Sequence, residues 1–112
     1  MSPIMKSFLL GLVATALFAV AADQHTFTGV ITDSMCARAD HSHMQMGAND
    51  AECTIACVQI HDASYVLFDG KAAYTLSDQK TPEKFAGKKV TVKGTLNAKT
   101  NIIQVDSIVA AK

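Results

Sequence analysis

The sequence has no excess of charge of either sign. Its ten Lys and Arg side chains balance ten Asp and Glu, so the formal net charge at pH 7 is zero. Proteins that bind nucleic acid usually carry a basic face, because contacts to phosphates supply much of their affinity. The one lysine-rich segment, residues 84–93, is typical of a solvated surface. We therefore expect no nucleic-acid partner.

The motifs of common enzyme chemistries are also missing. The chain has no glycine-rich phosphate loop, no paired carboxylates and no Cys-x-x-Cys redox motif. A cysteine with a histidine nearby is the minimum for a cysteine nucleophile, but no orienting third group or oxyanion-hole motif accompanies it here. We therefore predict that the protein is not an enzyme.

The sequence has only one long apolar run, and it lies near the start. Residues 8–20 are apolar with two interruptions, and Lys6 precedes them. The run is shorter than the roughly 20 residues needed to span a bilayer, and it ends in the small-residue pattern of residues 19–21. This pattern predicts a cleaved signal peptide over residues 1–22 and a single domain over residues 23–112. It also predicts a secreted or periplasmic location, with no transmembrane segment after cleavage.

Turn signals divide the remaining chain into short segments rich in β-branched residues. These segments predict five strands, and two stretches between them carry helix caps. Asn49 with Glu52 predicts the start of one helix, while Pro82 with Glu83 predicts the start of another, which Gly87 ends. In chain order the predicted elements are strand 25–32, helix 50–61, strands 65–69 and 71–77, helix 81–86, and strands 89–96 and 102–110.

The order of these elements predicts a mainly β fold. Five strands with a short helix between the third and fourth is the order of an OB-fold barrel. The first predicted helix is then an insertion between strands 1 and 2. Asp69-Gly70 is typical of a type I′ hairpin between strands 2 and 3. We therefore expect an OB-fold-like β-barrel of five strands, with an open antiparallel sheet packed against helices as the alternative.

Cysteine, methionine and histidine are confined to a narrow window of the predicted domain. Apart from His25, every one of them lies between Met35 and His61. Thiolates, thioethers and imidazoles are the ligands that soft and borderline metal ions prefer. The concentration of all three types in one window therefore indicates a single site.

Helical spacing brings two of the cysteines onto one face. Cys53, Cys57 and His61 are each four residues apart, so on a helix they project along one stripe. Cys36 comes from the end of the first strand, and His41 follows it by five residues. Zinc accepts a tetrahedral set of three cysteines and one histidine, and copper(I) favours thiolates and thioethers. We predict a zinc or copper site formed by Cys36, His41, Cys53 and Cys57, with His43, His61, Met44 and Met46 as weaker candidates.

The odd number of cysteines leaves a second interpretation open. Export to an oxidising compartment permits disulfides, and Cys36 can pair with either Cys53 or Cys57. Closing that loop would stabilise a small domain by roughly 3 kcal/mol. A bond between Cys53 and Cys57 is disfavoured, because neighbouring helical turns seldom place Cβ atoms face to face. In this alternative the protein is a disulfide-stabilised OB-like module that binds a peptide, a glycan or a partner protein without metal.

Several segments resemble those of small exported bacterial proteins with OB-like domains. The most specific is Asp-Ser-x-Cys at residues 33–36 with the later Cys-x3-Cys at residues 53–57. Residues 27–32, 65–67 and 81–88 are also similar, and residues 86–96 resemble the strands that close exported OB-like domains. The resemblance implies an OB-like fold and export. It assigns no chemistry to the cysteines or histidines.

Overall fold

The computed structural model describes residues 24–112, so the predicted signal peptide over residues 1–22 lies outside the described residues. The fold is mainly β, as predicted, with strands β1 (His25–Asp33), β2 (Tyr65–Phe68), β3 (Ala73–Leu76), β4 (Lys89–Asn97) and β5 (Ile102–Ala110). One α-helix, α1 (Asp50–His61), follows β1 in the chain and precedes β2. Two short 3-10 helices cover Ser34–Cys36 and Thr81–Phe85.

The five strands close into a ring. In the order β1-β2-β3-β5-β4 each strand pairs with the next, and β4 pairs in turn with β1. The pairs are antiparallel except for β3 with β5, which run parallel. The pairing of β4 with β1 joins the two ends of the sheet. The open sheet considered as the alternative is therefore wrong.

β1 pairs with two strands, and Gly29 lies near the point where its partner changes from β4 to β2. Residues up to Val30 pair with β4, and residues from Val30 to Asp33 pair with β2. A Cβ atom at Gly29 would lie 2.3 Å from the carbonyl oxygen of Phe68, which no real side chain tolerates. Glycine therefore lets the β2 backbone approach closely. This approach places the C-terminal end of β1 beside the start of β2.

The interior of the ring is filled by alternate strand residues. Val90 and Val92 of β4 face inward, as the alternation of this segment predicts. They pack with buried side chains from each of the other strands, namely Ile31, Tyr65, Leu67, Leu76 and Ile103. Burying one large apolar side chain contributes about 1.5–3 kcal/mol. This core fixes β1, whose end carries the first residues of the site described below.

The helix α1 begins at the predicted capping residue. Asn49 Oδ1 accepts a hydrogen bond from the backbone N–H of Glu52 at 2.9 Å, and Asn49 Nδ2 donates to the Glu52 carboxylate at 3.1 Å. Asp62, in the left-handed conformation with a φ of 59°, ends the helix. The helix packs against β1, and its buried residues are Cys53, Thr54 and Cys57.

Two local predictions are wrong in detail. The helix predicted between the third and fourth strands is a 3-10 helix, Thr81–Phe85, because Gly87 ends it after little more than one turn. The tight hairpin predicted at Asp69 is a four-residue loop between Phe68 and Ala73. Asp69 Oδ1 accepts hydrogen bonds from two backbone N–H groups inside this loop, each at 2.8 Å. The aspartate side chain thus acts together with a backbone hydrogen bond across the turn, from the N–H of Asp69 to the carbonyl oxygen of Ala72 at 3.0 Å.

Gly29→Ala should lower the free energy of unfolding by about 1–3 kcal/mol, because the added Cβ must displace the backbone of β2. Thr28→Ala, at the exposed neighbouring position, is the matched control and should cost less than about 1 kcal/mol. Urea unfolding followed by circular dichroism measures both. Equal stability of Gly29→Ala and the wild type would contradict the close approach of β1 and β2.

Candidate metal site

Asp33, the last residue of β1, turns the chain at the end of the strand. Its Oδ1 accepts hydrogen bonds from the backbone N–H groups of Met35 at 3.0 Å and Cys36 at 2.9 Å. This side-chain cap starts the 3-10 helix Ser34–Cys36. The turn carries the Cys36 side chain inward, where only 8% of the residue is exposed.

His41 is the one buried residue of the loop that covers residues 37–49. Its ring lies between β1 and α1. Nε2 is 3.4 Å from Thr32 Oγ1, and Nδ1 is 3.2 Å from the Sγ of Cys53. An imidazole that is 6% exposed in an otherwise exposed or half-buried loop is held by specific contacts rather than by a general core.

Cys53 brings the helix into the same group. Its Sγ lies 3.0 Å from the carbonyl oxygen of Met44, and the backbone N–H of Met46 donates to it at 3.4 Å. The ligand atoms of Cys36, His41 and Cys53 all lie within 4.8 Å of one another. The structure therefore contains a buried Cys-His-Cys group that can hold a metal ion.

Cys57, the fourth predicted ligand, lies outside this group of three. It is fully buried on the face of α1 that also buries Cys53. Burial, followed by the negative charge of Asp33 and the neighbouring thiols, raises the pKa of the Cys57 thiol to about 12. A buried thiol that keeps its proton packs as a small apolar side chain.

The four weaker candidates are less buried than Cys36, His41 and Cys53. His43 and Met44 have exposed side chains, Met46 is half-buried, and His61 is exposed at the last position of α1. The contacts from Met44 and Met46 to Cys53 are made by backbone atoms. His61 lies where a helix end favours a positive charge, which explains its position without a metal.

Thr32 is a site residue that the sequence did not indicate. Its hydroxyl donates to the carbonyl oxygen of Cys36 at 2.8 Å and lies 3.4 Å from His41 Nε2. A threonine in a strand rich in β-branched residues carries no signal of its own. Asp33, in contrast, has a recognisable signal in the sequence, because an aspartate directly after a predicted strand is typical of a turn.

Burial also controls the protonation of Cys36. Desolvation is the largest cause, followed by the negative charge of Asp33 and then by Cys53, and together they raise the pKa of the Cys36 thiol to about 11. At neutral pH the metal-free thiol therefore keeps its proton. A metal ion that binds Cys36 must displace this proton.

The three cysteines are free thiols, and all of them lie within the described residues. The sulfurs of Cys36 and Cys53 belong to the group whose atoms lie within 4.8 Å, and no bond of about 2.05 Å joins them. The disulfide of the second interpretation is therefore not found in this structure.

A cavity of about 120 Å³ opens onto the group. His41 and Cys53 line one side of it, and Asn49 and Asp50 at the start of α1 line another. Because the cavity is open to solvent, a small ion can reach the His41 and Cys53 side chains without unfolding of the domain.

No protein-family model, curated protein or solved structure matches this chain. Within residues 24–112, no helix has the length and apolar character needed to cross a membrane. The interpretation of the site is therefore based on its own geometry and chemistry.

Alkylation of the unfolded protein without reductant should add three labels per chain, because all three cysteines are free thiols. The native metal-free protein should react far more slowly at pH 7.5, since burial raises the pKa values of Cys36 and Cys57. Intact mass spectrometry counts the labels. One label on a chain that is lighter by two hydrogens would instead establish a disulfide.

Proposed function

We propose that this protein is an exported zinc-binding protein that holds its metal through Cys36, His41 and Cys53. The observation that carries the proposal is the convergence of two sulfurs and one imidazole nitrogen within 4.8 Å. Ligands around a tetrahedral zinc ion lie about 3.3–3.8 Å apart, given zinc–sulfur and zinc–nitrogen bonds of about 2.3 and 2.0 Å. His41 Nδ1 and Cys53 Sγ, 3.2 Å apart, are already at about this spacing, and the other pairs lie within 4.8 Å, so they must approach by up to about 1 Å to surround the ion.

The hydrogen bonds of His41 prepare its ring for a metal. The Thr32 hydroxyl gives its proton to the Cys36 carbonyl oxygen, so its own oxygen is free to accept from Nε2–H of His41. In the neutral ring this leaves the lone pair on Nδ1, the nitrogen that faces Cys53. Metal-binding histidines characteristically donate their outer N–H in this way.

The backbone around Cys53 supports an ionised sulfur. The N–H of Met46 donates to Cys53 Sγ, and a hydrogen bond of this kind stabilises a thiolate once the metal has displaced the proton. The partner in the protonated state is the carbonyl oxygen of Met44, which can accept from the thiol. The Cys53 sulfur thus has a hydrogen-bond partner both as a thiol and as a thiolate.

The mixed ligand set favours zinc over copper. Zinc binds sulfur and imidazole together in protein sites, whereas copper(I) is drawn to thiolates and thioethers. Met44 is 41% exposed, so we do not assign its thioether as a ligand of this buried group. Copper(I) is the natural competitor for the two thiolates, and we expect zinc to be the resident ion.

The ion would link three segments of the chain. Cys36 follows β1, His41 lies in the loop of residues 37–49, and Cys53 belongs to α1. A metal that binds only the folded state stabilises it by mass action, and small domains gain most from such a link. The proposed role is therefore retention of zinc in a closed site that also fixes the loop.

Export and fold complete the proposal. The signal pattern over residues 1–22 supports a secreted or periplasmic location. The strand order β1-β2-β3-β5-β4, with the helix α1 inserted after β1, supports an OB-like barrel. We draw no function from the fold itself, because such barrels serve many functions.

Cys36→Ser, Cys53→Ser and His41→Ala should each abolish stoichiometric zinc binding, because each removes one of the three converging ligands. His61→Ala is the matched control, since His61 lies on the same helix as Cys53 but is exposed. Zinc per chain is measured by elemental analysis after dialysis, and the wild type should retain one ion.

Cys57→Ser distinguishes this site from the four-ligand set predicted from the sequence. Because Cys57 lies outside the group of three, its variant should keep one zinc per chain. Loss of zinc from the Cys57 variant, or retention by the Cys36 and Cys53 variants, would contradict the proposed ligands.

Zinc affinity should rise with pH between about 6.5 and 8.5. The pKa of Cys36 is raised to about 11, so this thiol is protonated throughout that range and binding releases its proton. Each released proton gives about a tenfold gain in affinity for each pH unit, so the Cys36 proton alone sets a minimum slope of about tenfold and a second thiol proton makes the slope steeper. Competition with a chelator of known pH dependence measures the slope, and a flat profile would argue against thiolate ligation.

A further inference from the structure

Asp33 has a carboxylate oxygen that the fold leaves without a partner. The residue is 0% exposed. Its Oδ1 is fully engaged by the backbone N–H groups of Met35 and Cys36. Its Oδ2 is equally buried and has no hydrogen-bond partner among the described residues. A buried carboxylate oxygen without a partner is strongly destabilising, so its retention calls for a cation or a donor at that point.

The position of Oδ2 relative to His41 shows which side of the ring it occupies. Oδ2 lies 4.0 Å from His41 Nδ1, the same nitrogen that lies 3.2 Å from Cys53 Sγ. A carboxylate that only orients a metal-binding histidine would contact the other nitrogen, as in carboxylate–histidine–zinc arrangements. Here that outer nitrogen, Nε2, faces Thr32 instead. Asp33 therefore lies on the metal side of the imidazole.

His41 Nδ1, which lies 4.0 Å from Oδ2, and the two neighbouring sulfurs are themselves acceptors. Asp33 is not among the residues whose ligand atoms lie within 4.8 Å of one another, so its carboxylate must move toward the sulfurs to share an ion with them. In the metal-bound state the Cys36 and Cys53 sulfurs are thiolates, and His41 presents a lone pair at Nδ1. Three such atoms and a carboxylate oxygen repel one another unless a cation lies between them. The negative charge of Asp33 already acts on the Cys36 thiol of the group and on the thiol of Cys57.

We propose that Asp33 Oδ2 is the fourth ligand, which makes the site a closed Cys-His-Cys-Asp set for a divalent ion. This inference rests on the proposed zinc function and deepens it. Four protein ligands in a tetrahedron are typical of zinc that is held rather than used for catalysis. Two thiolates and a carboxylate carry three negative charges, which suit a divalent ion better than copper(I). The hard carboxylate oxygen adds to that preference.

Asp33→Asn tests the assignment because it removes the charge and keeps the shape. The asparagine Oδ1 can still accept from Met35 and Cys36, so the turn after β1 is retained. The matched control is Asp40→Asn. Asp40 also caps a backbone N–H, that of Ser42 at 3.0 Å, but it is exposed in the loop.

Asp33→Asn should stabilise the metal-free protein and weaken the binding of zinc. Without metal, Asp33→Asn should unfold at a higher temperature than the wild type, because a buried charge without a partner has been removed. With zinc, its affinity should fall by about 100-fold or more, since even an outer partner of a ligand is worth about 10- to 100-fold. Affinity for copper(I) should fall by a smaller factor. Asp40→Asn should match the wild type in all three measurements.

Cobalt(II) spectra give a second test, and its wild-type measurement does not depend on folding of the variant. Thiocyanate binds to cobalt where a water completes the coordination and leaves a site with four protein ligands unchanged. The wild-type spectrum should therefore be insensitive to thiocyanate, and the spectrum of the Asp33→Asn variant should shift.

A thiocyanate-sensitive wild type, or undiminished zinc affinity of Asp33→Asn, would overturn Asp33 as a ligand. Loss of zinc in Cys57→Ser but not in Asp33→Asn would assign the fourth position to Cys57. A wild type that binds neither zinc nor cobalt would instead refute the proposed function itself.

Discussion

The arrangement of the site depends on the carboxylate of Asp33. One of its oxygens accepts two backbone N–H groups and so fixes the turn that follows β1. That turn buries Cys36 and brings its carbonyl oxygen to the hydroxyl of Thr32, which in turn faces His41. The orientation of the imidazole and the position of the first sulfur are thus set by the same residue. Its second oxygen carries an unpaired buried charge toward them.

The closed ring of strands provides the frame for this turn. β1 pairs with β4 up to Val30 and with β2 from Val30 to Asp33, and the close approach at Gly29 brings the end of β1 against β2. The helix α1, packed on β1, brings Cys53 against the ring of His41. The loop between them has one buried residue, and that residue is a ligand of the proposed site. Contacts within the protein therefore position the ligands, and the metal would supply the remaining link.

Local signals in the sequence predicted much of this arrangement. The Asn49 cap and the four-residue spacing of Cys53 and Cys57 were sufficient to predict a helix with both thiols on one face. Helical spacing, however, fixes only which face a side chain occupies. It does not fix the distance to a sulfur on another segment. The sequence alone therefore could not show that Cys53, and not Cys57, belongs to the group with Cys36 and His41. The sequence predicts His41 in the main ligand set and His43 among the weaker candidates, and in the structure His41 is buried while His43 is exposed.

The central claim is that two cysteine sulfurs and one histidine nitrogen bind the same zinc ion. X-ray absorption at the zinc edge of the loaded protein tests it most directly, since it counts ligands and measures bond lengths. We predict two sulfur neighbours at about 2.3 Å and two nitrogen or oxygen neighbours at about 2.0 Å. A shell without sulfur would show that zinc is bound elsewhere on the protein. A shell of three or four sulfurs would contradict the ligand set described for this site.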